Sequence, residues 1–217
     1  MNMNLFESVA QTEVPREILC TGAVKLRGFA QKYQTELFAG LREVPAKAPF
    51  RHIVTPGGFR MSVAMTNCGA LGWISDETAY RYDRVDPETK KAWPEMPDRF
   101  LKLASSAAAE AGFDKFFSDV CLINRYEPGS KLSLHQDRNE RDFEQPIVSV
   151  SLGVSATFLF GGLCRSDKAE RILVEHGDVI VWGGPARLRY HGVMPLKESF
   201  HLLAGRNRFN LTFRKAA

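Results

Sequence analysis

The sequence predicts a mainly β fold, in which a β-sandwich or jelly roll follows an N-terminal part that contains helices. Three observations on the 217-residue chain predict this fold. Eight short strand-like segments follow one another after residue 115 with no helical segment between them. Glycine pairs, such as Gly161-Gly162, break that series with turn residues. Before residue 115, two segments carry apolar residues at helical spacing.

The two predicted helices lie in the first part of the chain, residues 1–115. Apolar residues at intervals of three and four predict an amphipathic helix over residues 29–43. A second apolar stripe runs over residues 98–111. It follows Pro97 and precedes Gly112, which are typical start and stop signals of a helix.

A hairpin and a loop lie between these two helices. The turn residues Thr55-Pro56-Gly57-Gly58 separate two strand-like segments, over residues 50–54 and 59–66. Residues 82–97 are rich in proline and charge, which predicts an irregular surface loop.

The second part of the chain, residues 116–217, consists of predicted strands. Strands that follow one another without helices are typical of a sandwich or jelly roll. The predicted strands are 120–126, 132–137, 146–152, 156–161, 171–175, 178–182, 188–193 and 206–214. We expect both parts to belong to one domain over residues 1–217, because the length suits one core with a lid.

Composition limits the classes of protein to which the chain can belong. The four cysteines are widely spaced, which argues against a zinc ribbon or a disulfide framework and favours reduced thiols in the cytoplasm. No apolar run approaches the roughly 18 residues of a membrane span. The net charge of +4 is compatible with a polyanionic partner without establishing one.

Two histidines and a carboxylate form the candidate chemical centre. His135 and Asp137 are two residues apart in a predicted strand and therefore point to the same face. His191 lies in a later strand, and two histidines with one carboxylate are the ligand set of non-haem Fe(II) oxygenases. A polar strand face is the commoner meaning of an H-x-D pair alone. His176 competes as third ligand, although Gly177 after it favours a turn.

Two predicted strands carry polar side chains on one face. In the last strand, alternation places Arg206, Arg208, Asn210, Thr212 and Arg214 opposite an apolar face. An edge strand with a solvated face explains this pattern. Alternatively, the polar face lines the interior of a jelly roll, where arginines would pair with a dicarboxylate. Asn124 and Tyr126 also share a face, and either could bind a carboxylate or lie at the surface.

Taken together, these residues resemble the AlkB family of Fe(II)- and 2-oxoglutarate-dependent dioxygenases. The motifs that carry the resemblance are Asn124-Arg125-Tyr126, His135-Gln136-Asp137, His191 and the strand Arg208-Phe209-Asn210-Leu211-Thr212-Phe213-Arg214. The resemblance extends over roughly residues 20–215. It implies a double-stranded β-helix (jelly-roll) core with a nucleotide-recognition lid in the N-terminal part.

The resemblance also implies roles for individual residues. Fe(II) would be held by His135, Asp137 and His191. The co-substrate 2-oxoglutarate would be bound by Arg208 and Arg214, assisted by Asn124, Arg125, Tyr126, Asn210 and Thr212. The methylated base would be bound by the lid aromatics Trp73, Tyr80 and Tyr82, and by Asn139 and Arg165. Bacterial members carry an aspartate where this chain has Asn139, which bears on base preference.

The expected function is oxidative demethylation of N-alkylated bases, such as 1-methyladenine and 3-methylcytosine, with Fe(II), 2-oxoglutarate and O2. The expected partner is single-stranded DNA, with RNA and duplex DNA as further substrates, and the expected state is a monomer. One alternative is the same oxygenase core acting on a protein or small molecule. Another is a nucleic-acid-binding module without activity, which would leave the His, Asp and Arg pattern unexplained.

Overall fold

The structure is a computed structural model that describes residues 15–76 and 79–217. Within these ranges the fold is mainly β, as predicted. Its strands are β1 (Arg16–Cys20), β2 (Ala23–Leu26), β3 (Arg51–Val54), β4 (Arg60–Gly69), β5 (Gly72–Ser75), β6 (Tyr80–Asp83), β7 (Val120–Tyr126), β8 (Leu132–His135), β9 (Ile147–Gly153), β10 (Ala156–Phe160), β11 (Glu170–Val174), β12 (Val179–Trp182), β13 (His191–Val193) and β14 (Arg208–Arg214).

Two helices pack against this β structure. Helix α1 spans Gln34–Lys47 after a single 3-10 turn, and α2 spans Asp98–Glu110. The prediction for α2 is confirmed, whereas α1 begins later than predicted. The reason is tertiary: the backbone N–H of Ala30 donates to the carbonyl of Gly177 at 2.8 Å, which holds the preceding residues in a turn.

The larger sheet has eight antiparallel strands in the order β1-β2-β12-β9-β14-β7-β4-β3. Its centre consists of strands predicted after residue 115, and strands from the first part extend it on both sides. Strands β1 and β2 were not predicted because both are short and β2 also pairs with a distant strand. The pairing of β2 with β12 joins residues more than 150 positions apart in sequence.

A smaller antiparallel sheet, in the order β11-β10-β13-β8, lies opposite the larger one. Side chains from both sheets share one apolar cluster, which includes Leu122 and Ile147 from the larger sheet and Phe158 and Val193 from the smaller. The other face of the larger sheet packs against both helices in a second cluster. The predicted arrangement of two packed sheets is therefore confirmed.

In residues 116–217, three strand boundaries differ from prediction by two residues or more. Strand β13 begins only at His191, because a 3-10 turn over residues 184–186 continues as a turn to residue 188. Strand β14 begins at Arg208, and Arg206 lies before it with its Nη2 2.6 Å from Glu198 Oε1. The placement of Arg206 on the polar strand face was therefore wrong. Strand β8 ends at His135, so Asp137 lies just beyond it.

A two-stranded hairpin, β5–β6, stands beside the two sheets. It occupies part of the predicted irregular region, since β6 ends at Asp83. Asn67 of β4 holds the hairpin in place through both the donor and the acceptor of its side-chain amide. Its Nδ2 donates to the carbonyl of Trp73 at 3.1 Å, and its Oδ1 accepts from the backbone N–H of Trp73 at 3.0 Å. Among the described residues, no helix is long and apolar enough to cross a membrane.

Candidate active site

Three predicted ligands converge at one end of the smaller sheet. His135 and His191 are direct partners in the pairing of β8 with β13, and Asp137 follows β8. Asp137 Oδ1 lies 3.7 Å from His135 Nε2, and Asp137 Oδ2 lies 3.6 Å from His191 Nε2. One ligand atom from each residue falls within 4.8 Å of the others. Two imidazoles and one carboxylate fit Fe(II) and leave coordination positions open.

The backbone orients both imidazole rings. His135 Nδ1 lies 2.9 Å from the carbonyl of Ser133, and His191 Nδ1 lies 3.1 Å from the carbonyl of Arg189. A carbonyl only accepts, so each Nδ1 carries the proton and each Nε2 presents its lone pair to the cluster. Desolvation, and then the neighbouring His191, lower the pKa of His135 to about 4. The His135 ring is therefore neutral at pH 7, as metal binding requires.

The carboxylate of Asp137 is held by Arg214. Arg214 Nε donates to Asp137 Oδ2 at 2.8 Å, and Nη2 lies 2.5 Å from the same oxygen. Burial opposes ionisation of Asp137, but Arg214, His191 and His135 together outweigh burial and hold the pKa of Asp137 well below its usual value. Asp137 Oδ1 faces His135, on the side where a metal would bind.

The polar face of β14 does line the interior, between the two sheets. Arg208, Asn210, Thr212 and Arg214 are all buried. Asn210 Nδ2 donates to Ser149 Oγ at 2.8 Å, and Thr212 Oγ1 donates to Asn210 Oδ1 at 2.9 Å. Of the two explanations open for this strand, the solvated edge is wrong.

Arg208 carries hydrogen-bond donors that no described residue accepts from. Its Nη2 donates to Ser151 Oγ at 3.0 Å, and its guanidinium lies 4.9 Å from the centre of the Tyr126 ring. Its Nε and Nη1 are buried without a hydrogen-bond partner in the described part of the chain, as is Asn124 Oδ1. Burial lowers the pKa of Arg208 from its usual value. A buried cation with unused donors is a suitable partner for a carboxylate.

Arg125 does not belong to this interior group. It lies on β7 between Asn124 and Tyr126, so the alternation of the strand turns it to the opposite face. There its guanidinium stacks 4.9 Å from the centre of the Phe50 ring, and Nη2 lies 3.4 Å from Glu127 Oε1. The prediction that Arg125 helps to bind 2-oxoglutarate is therefore wrong. His176 is also remote from the cluster, in a turn, where its Nδ1 accepts from the N–H of Gly153 at 3.1 Å.

The three aromatic residues predicted for the lid share one face of the β5–β6 hairpin. Trp73 pairs directly with Tyr82, and Tyr80 is two residues before Tyr82. The Trp73 and Tyr80 rings stack on each other at 5.2 Å and 14°. The hydroxyl of Tyr82 donates to Glu140, three residues after Asp137. This contact turns the aromatic face of the hairpin towards the metal-ligand segment.

Asn139 and Arg165 are both exposed in the structure. Asn139 lies between Asp137 and the buried Glu140, so it lies at the surface beside the candidate metal site. Arg165 lies in the segment between β10 and β11.

Two buried charges close to the site were missed from the sequence. Glu140 Oε1 lies 3.5 Å from Arg214 Nε, and Glu140 Oε2 lies 3.1 Å from Arg187 Nη2. Glu140 follows an exposed stretch rich in charge, and Arg187 follows a turn, so neither has a periodic pattern around it. Their role depends on long-range contacts that no local signal reveals.

Comparison with known proteins assigns the chain to a family. The family model described as the 2OG-Fe(II) oxygenase superfamily matches residues 22–214. The alpha-ketoglutarate-dependent dioxygenase AlkB of Escherichia coli (strain K12) is 53% identical over 212 residues, which cover 98% of each chain. The chain belongs to the AlkB family. It is accordingly a 2-oxoglutarate-dependent dioxygenase that uses Fe(II) and O2.

Two further relatives extend the comparison within the AlkB family. The solved structure of OsALKBH1 superposes with a TM-score of 0.82 at 28% identity, covering 93% of this chain and 100% of that chain. The DNA N(6)-methyladenine demethylase ALKBH1C of Arabidopsis thaliana is 32% identical over 173 residues, which cover 67% of this chain and 38% of that protein.

Proposed function

We propose that this chain is an oxidative demethylase that repairs N-methylated bases in nucleic acid, with single-stranded DNA as its main substrate. The observation that carries the proposal is the position of the aromatic hairpin. Tyr82 connects it to Glu140, which is three residues from the candidate metal ligand Asp137. A relative that carries demethylase in its name, acting on DNA methyladenine, supports the same substrate class.

In the proposed site, His135, Asp137 and His191 hold Fe(II). Arg208 binds a carboxylate of 2-oxoglutarate through its unused Nε and Nη1, and Asn124 and Tyr126 complete the pocket. When bound, Fe(II) with 2-oxoglutarate and O2 supplies oxidation of the N-methyl C–H bond, after which the hydroxymethyl group leaves as formaldehyde and succinate and CO2 are released. Arg214, which contacts the Asp137 carboxylate, binds the second carboxylate of 2-oxoglutarate in this proposal.

The hairpin acts as the nucleotide-recognition lid in this proposal. Because Trp73 and Tyr80 stack on each other, an extruded base would stack on the outer face of that pair rather than between the rings. Methylation of the pairing edge weakens base pairing and lowers the cost of extrusion. Asn139 and Arg165 lie at the surface, where they would contact the base or its backbone. Asn139 offers an amide oxygen without charge, so the preference for cationic bases should be weaker than with an aspartate.

A mass assay tests the proposal. Protein is incubated with Fe(II), 2-oxoglutarate, ascorbate and a single-stranded oligonucleotide that carries one 1-methyladenine. We expect the oligonucleotide to lose the mass of one methylene group, only with 2-oxoglutarate present, and not with His135→Ala. Succinate without a change in the oligonucleotide would show an oxygenase with another substrate, such as a protein or small molecule.

The lid is tested separately with Trp73→Ala and Tyr80→Ala. Both variants should lose demethylation while binding 2-oxoglutarate as the unmodified chain does, because both residues lie on the β5–β6 hairpin and not on the strands that carry Arg208 and Asn124. Normal demethylation by both variants would exclude this hairpin as the base-binding lid.

A further inference from the structure

Two hydrogen bonds join the two chain segments that carry the candidate iron ligands. Arg187 Nη1 donates to the carbonyl of Asp137 at 2.9 Å. Gln136 Nε2 donates in the opposite direction, to the carbonyl of Leu188 at 2.6 Å. Gln136 precedes Asp137, and Leu188 follows Arg187, so the two bonds connect the same segments reciprocally.

The guanidinium of Arg187 uses all three of its nitrogens. Besides the bond to Asp137, its Nε donates to the carbonyl of Gln145 at 3.0 Å, and its Nη2 lies 3.1 Å from Glu140 Oε2. The side chain is 3% exposed and lies over the Phe143 ring. One buried side chain thus holds both ends and the middle of the loop that follows the metal-ligand motif.

The contact between Arg187 and Asp137 influences His191 because Arg187 lies shortly before His191 in the chain. It comes directly after the 3-10 turn Gly184–Ala186, where its backbone N–H donates to the carbonyl of Gly184 at 3.0 Å. His191 follows four residues later, at the start of β13. Fixing Arg187 against Asp137 therefore fixes how far the His191 segment stands from the Asp137 segment.

We propose that Arg187 and Gln136 form a clamp that sets the spacing of the iron ligands before the metal binds. The clamp consists of the Arg187 bond to Asp137 and the Gln136 bond to Leu188. Both are positioning residues, since each acts on the backbone of a ligand segment rather than on the metal. Ligands already held in place lose less entropy on binding, so the clamp raises metal affinity. The inference rests on the proposed iron ligands.

The test is the affinity of the full chain for Co(II), which replaces Fe(II) and is followed by its visible absorption without O2. Arg187→Met and Gln136→Met each remove one side of the clamp with a side chain of similar length. We expect each to weaken Co(II) binding about tenfold or more, the range usual for residues that orient metal ligands.

Lys25→Met is the matched control. Lys25 is also a buried cation that donates to a backbone carbonyl, that of Leu173 at 2.7 Å, and it pairs with Asp178 at 3.2 Å. Its loss should lower the melting temperature of the metal-free protein but leave Co(II) affinity unchanged. A purely structural role for Arg187 would give the same result as Lys25→Met.

The outcomes separate the clamp from the site itself. If Arg187→Met fails to fold, the neutral change Gln136→Met decides. Co(II) affinity equal to that of the unmodified chain in folded Gln136→Met, and in Arg187→Met if it folds, would overturn the clamp. Equal Co(II) affinity of the unmodified chain and His135→Ala would instead overturn the iron site on which the inference rests.

Discussion

Arg208 is a buried guanidinium that is only partly satisfied within the described residues, since its Nε and Nη1 have no hydrogen-bond partner there. A buried charge without full compensation costs stability, and replacing it with an apolar side chain is often neutral or stabilising. The same charge is what a dicarboxylate would bind. Stability without the co-substrate and affinity for it therefore oppose each other at this residue.

We expect Arg208→Met to keep or raise the melting temperature of the protein without ligand, while weakening 2-oxoglutarate binding. Loss of one partner of a buried charge pair costs about 2–5 kcal/mol, which is about 30-fold or more in affinity. Calorimetric titration with 2-oxoglutarate checks the affinity, and thermal melts check the stability. Lys25→Met, which removes a paired buried cation, should instead lower the melting temperature and leave 2-oxoglutarate affinity unchanged. Unchanged 2-oxoglutarate affinity would exclude Arg208 as its partner.

The lowered pKa of His135 gives a pH dependence with a definite sign. The ring titrates near 6.5 when the chain is unfolded and at about 4 when it is folded. Between these values the unfolded chain binds more protons, so the contribution of His135 to stability is full above pH 6.5 and is lost as the pH falls towards 4.

We therefore expect the metal-free protein to lose stability as the pH falls from 6.5 to 4, and His135→Gln to lose less. Urea unfolding at several pH values measures both slopes. The same slope in both proteins would contradict the assigned pKa.

The site residues show how far sequence reasoning reaches at this scale. Alternation placed His135 and Asp137 on one face, and the structure does bring them together, although β8 ends at His135 and Asp137 follows the strand. The same rule turns Arg125 away from Asn124 and Tyr126, so the strand pattern itself contradicts the role that the resemblance implied for Arg125. Glu140 and Arg187 were not predictable, because they meet across a sequence separation that only the folded chain closes.

At the scale of elements, Asn67 acts as a bridge between a sheet and a hairpin. Its buried amide forms two hydrogen bonds with the backbone of Trp73 and so continues the pattern of a strand pair. Trp73 in turn stacks on Tyr80. The position of the aromatic pair therefore depends on an amide in β4.

We expect Asn67→Ala to destabilise the protein by about 1–3 kcal/mol, the cost of leaving buried polar groups unpaired. The displaced hairpin should raise the KM for a methylated oligonucleotide more than it changes kcat. Binding of 2-oxoglutarate should stay unchanged. Steady-state kinetics with varied oligonucleotide and denaturant unfolding measure the two effects.

Gly40→Ala is the control for this change. A Cβ on Gly40 would lie 2.6 Å from Phe100, so the variant strains the contact between α1 and α2, away from the hairpin. It should lower stability without changing the KM. An equal rise in the KM for both variants would mean that general destabilisation, rather than the hairpin, controls substrate binding.

Elements differed in how well the sequence revealed them. Helix α2 was predictable because its apolar stripe and both end signals are local. The short strands β5 and β6 were not predicted because the sequence around them lacks a clear alternation. The start of α1 was misplaced because a backbone bond to the distant Gly177 replaced helical geometry.

At the scale of the whole molecule, the larger sheet combines strands from both parts of the chain, residues 1–115 and residues 116–217. Strands β2 and β4 flank the four central strands β12, β9, β14 and β7. Strand β12 pairs with β2, and β7 pairs with β4 over six residue pairs. Local patterns predicted the two packed sheets. They did not predict that strands from the first part of the chain would pair with strands of the second part.

We expect residues 116–217 expressed alone to fail to fold. Without β2 and β4, both β12 and β7 would become open edges with unpaired backbone groups, which promote aggregation. Solubility and circular dichroism of the fragment check this, and residues 15–217 serve as the control. A soluble fragment with a cooperative melt would show that the second part is an independent domain.

The three tryptophans occupy three different layers of the fold. Trp73 lies in the aromatic hairpin. Trp93 contacts this hairpin, since its Nε1 donates to the carbonyl of Asp83. The ring of Trp182 lies in the core, centred 5.0 Å from the ring of His191. The molecule therefore carries its own optical reporters. In Trp73→Phe, a fluorescence change on adding metal would come chiefly from Trp182. In Trp182→Phe, a change on adding oligonucleotide would report the hairpin, so the order in which metal and nucleic acid bind can be followed without an attached dye.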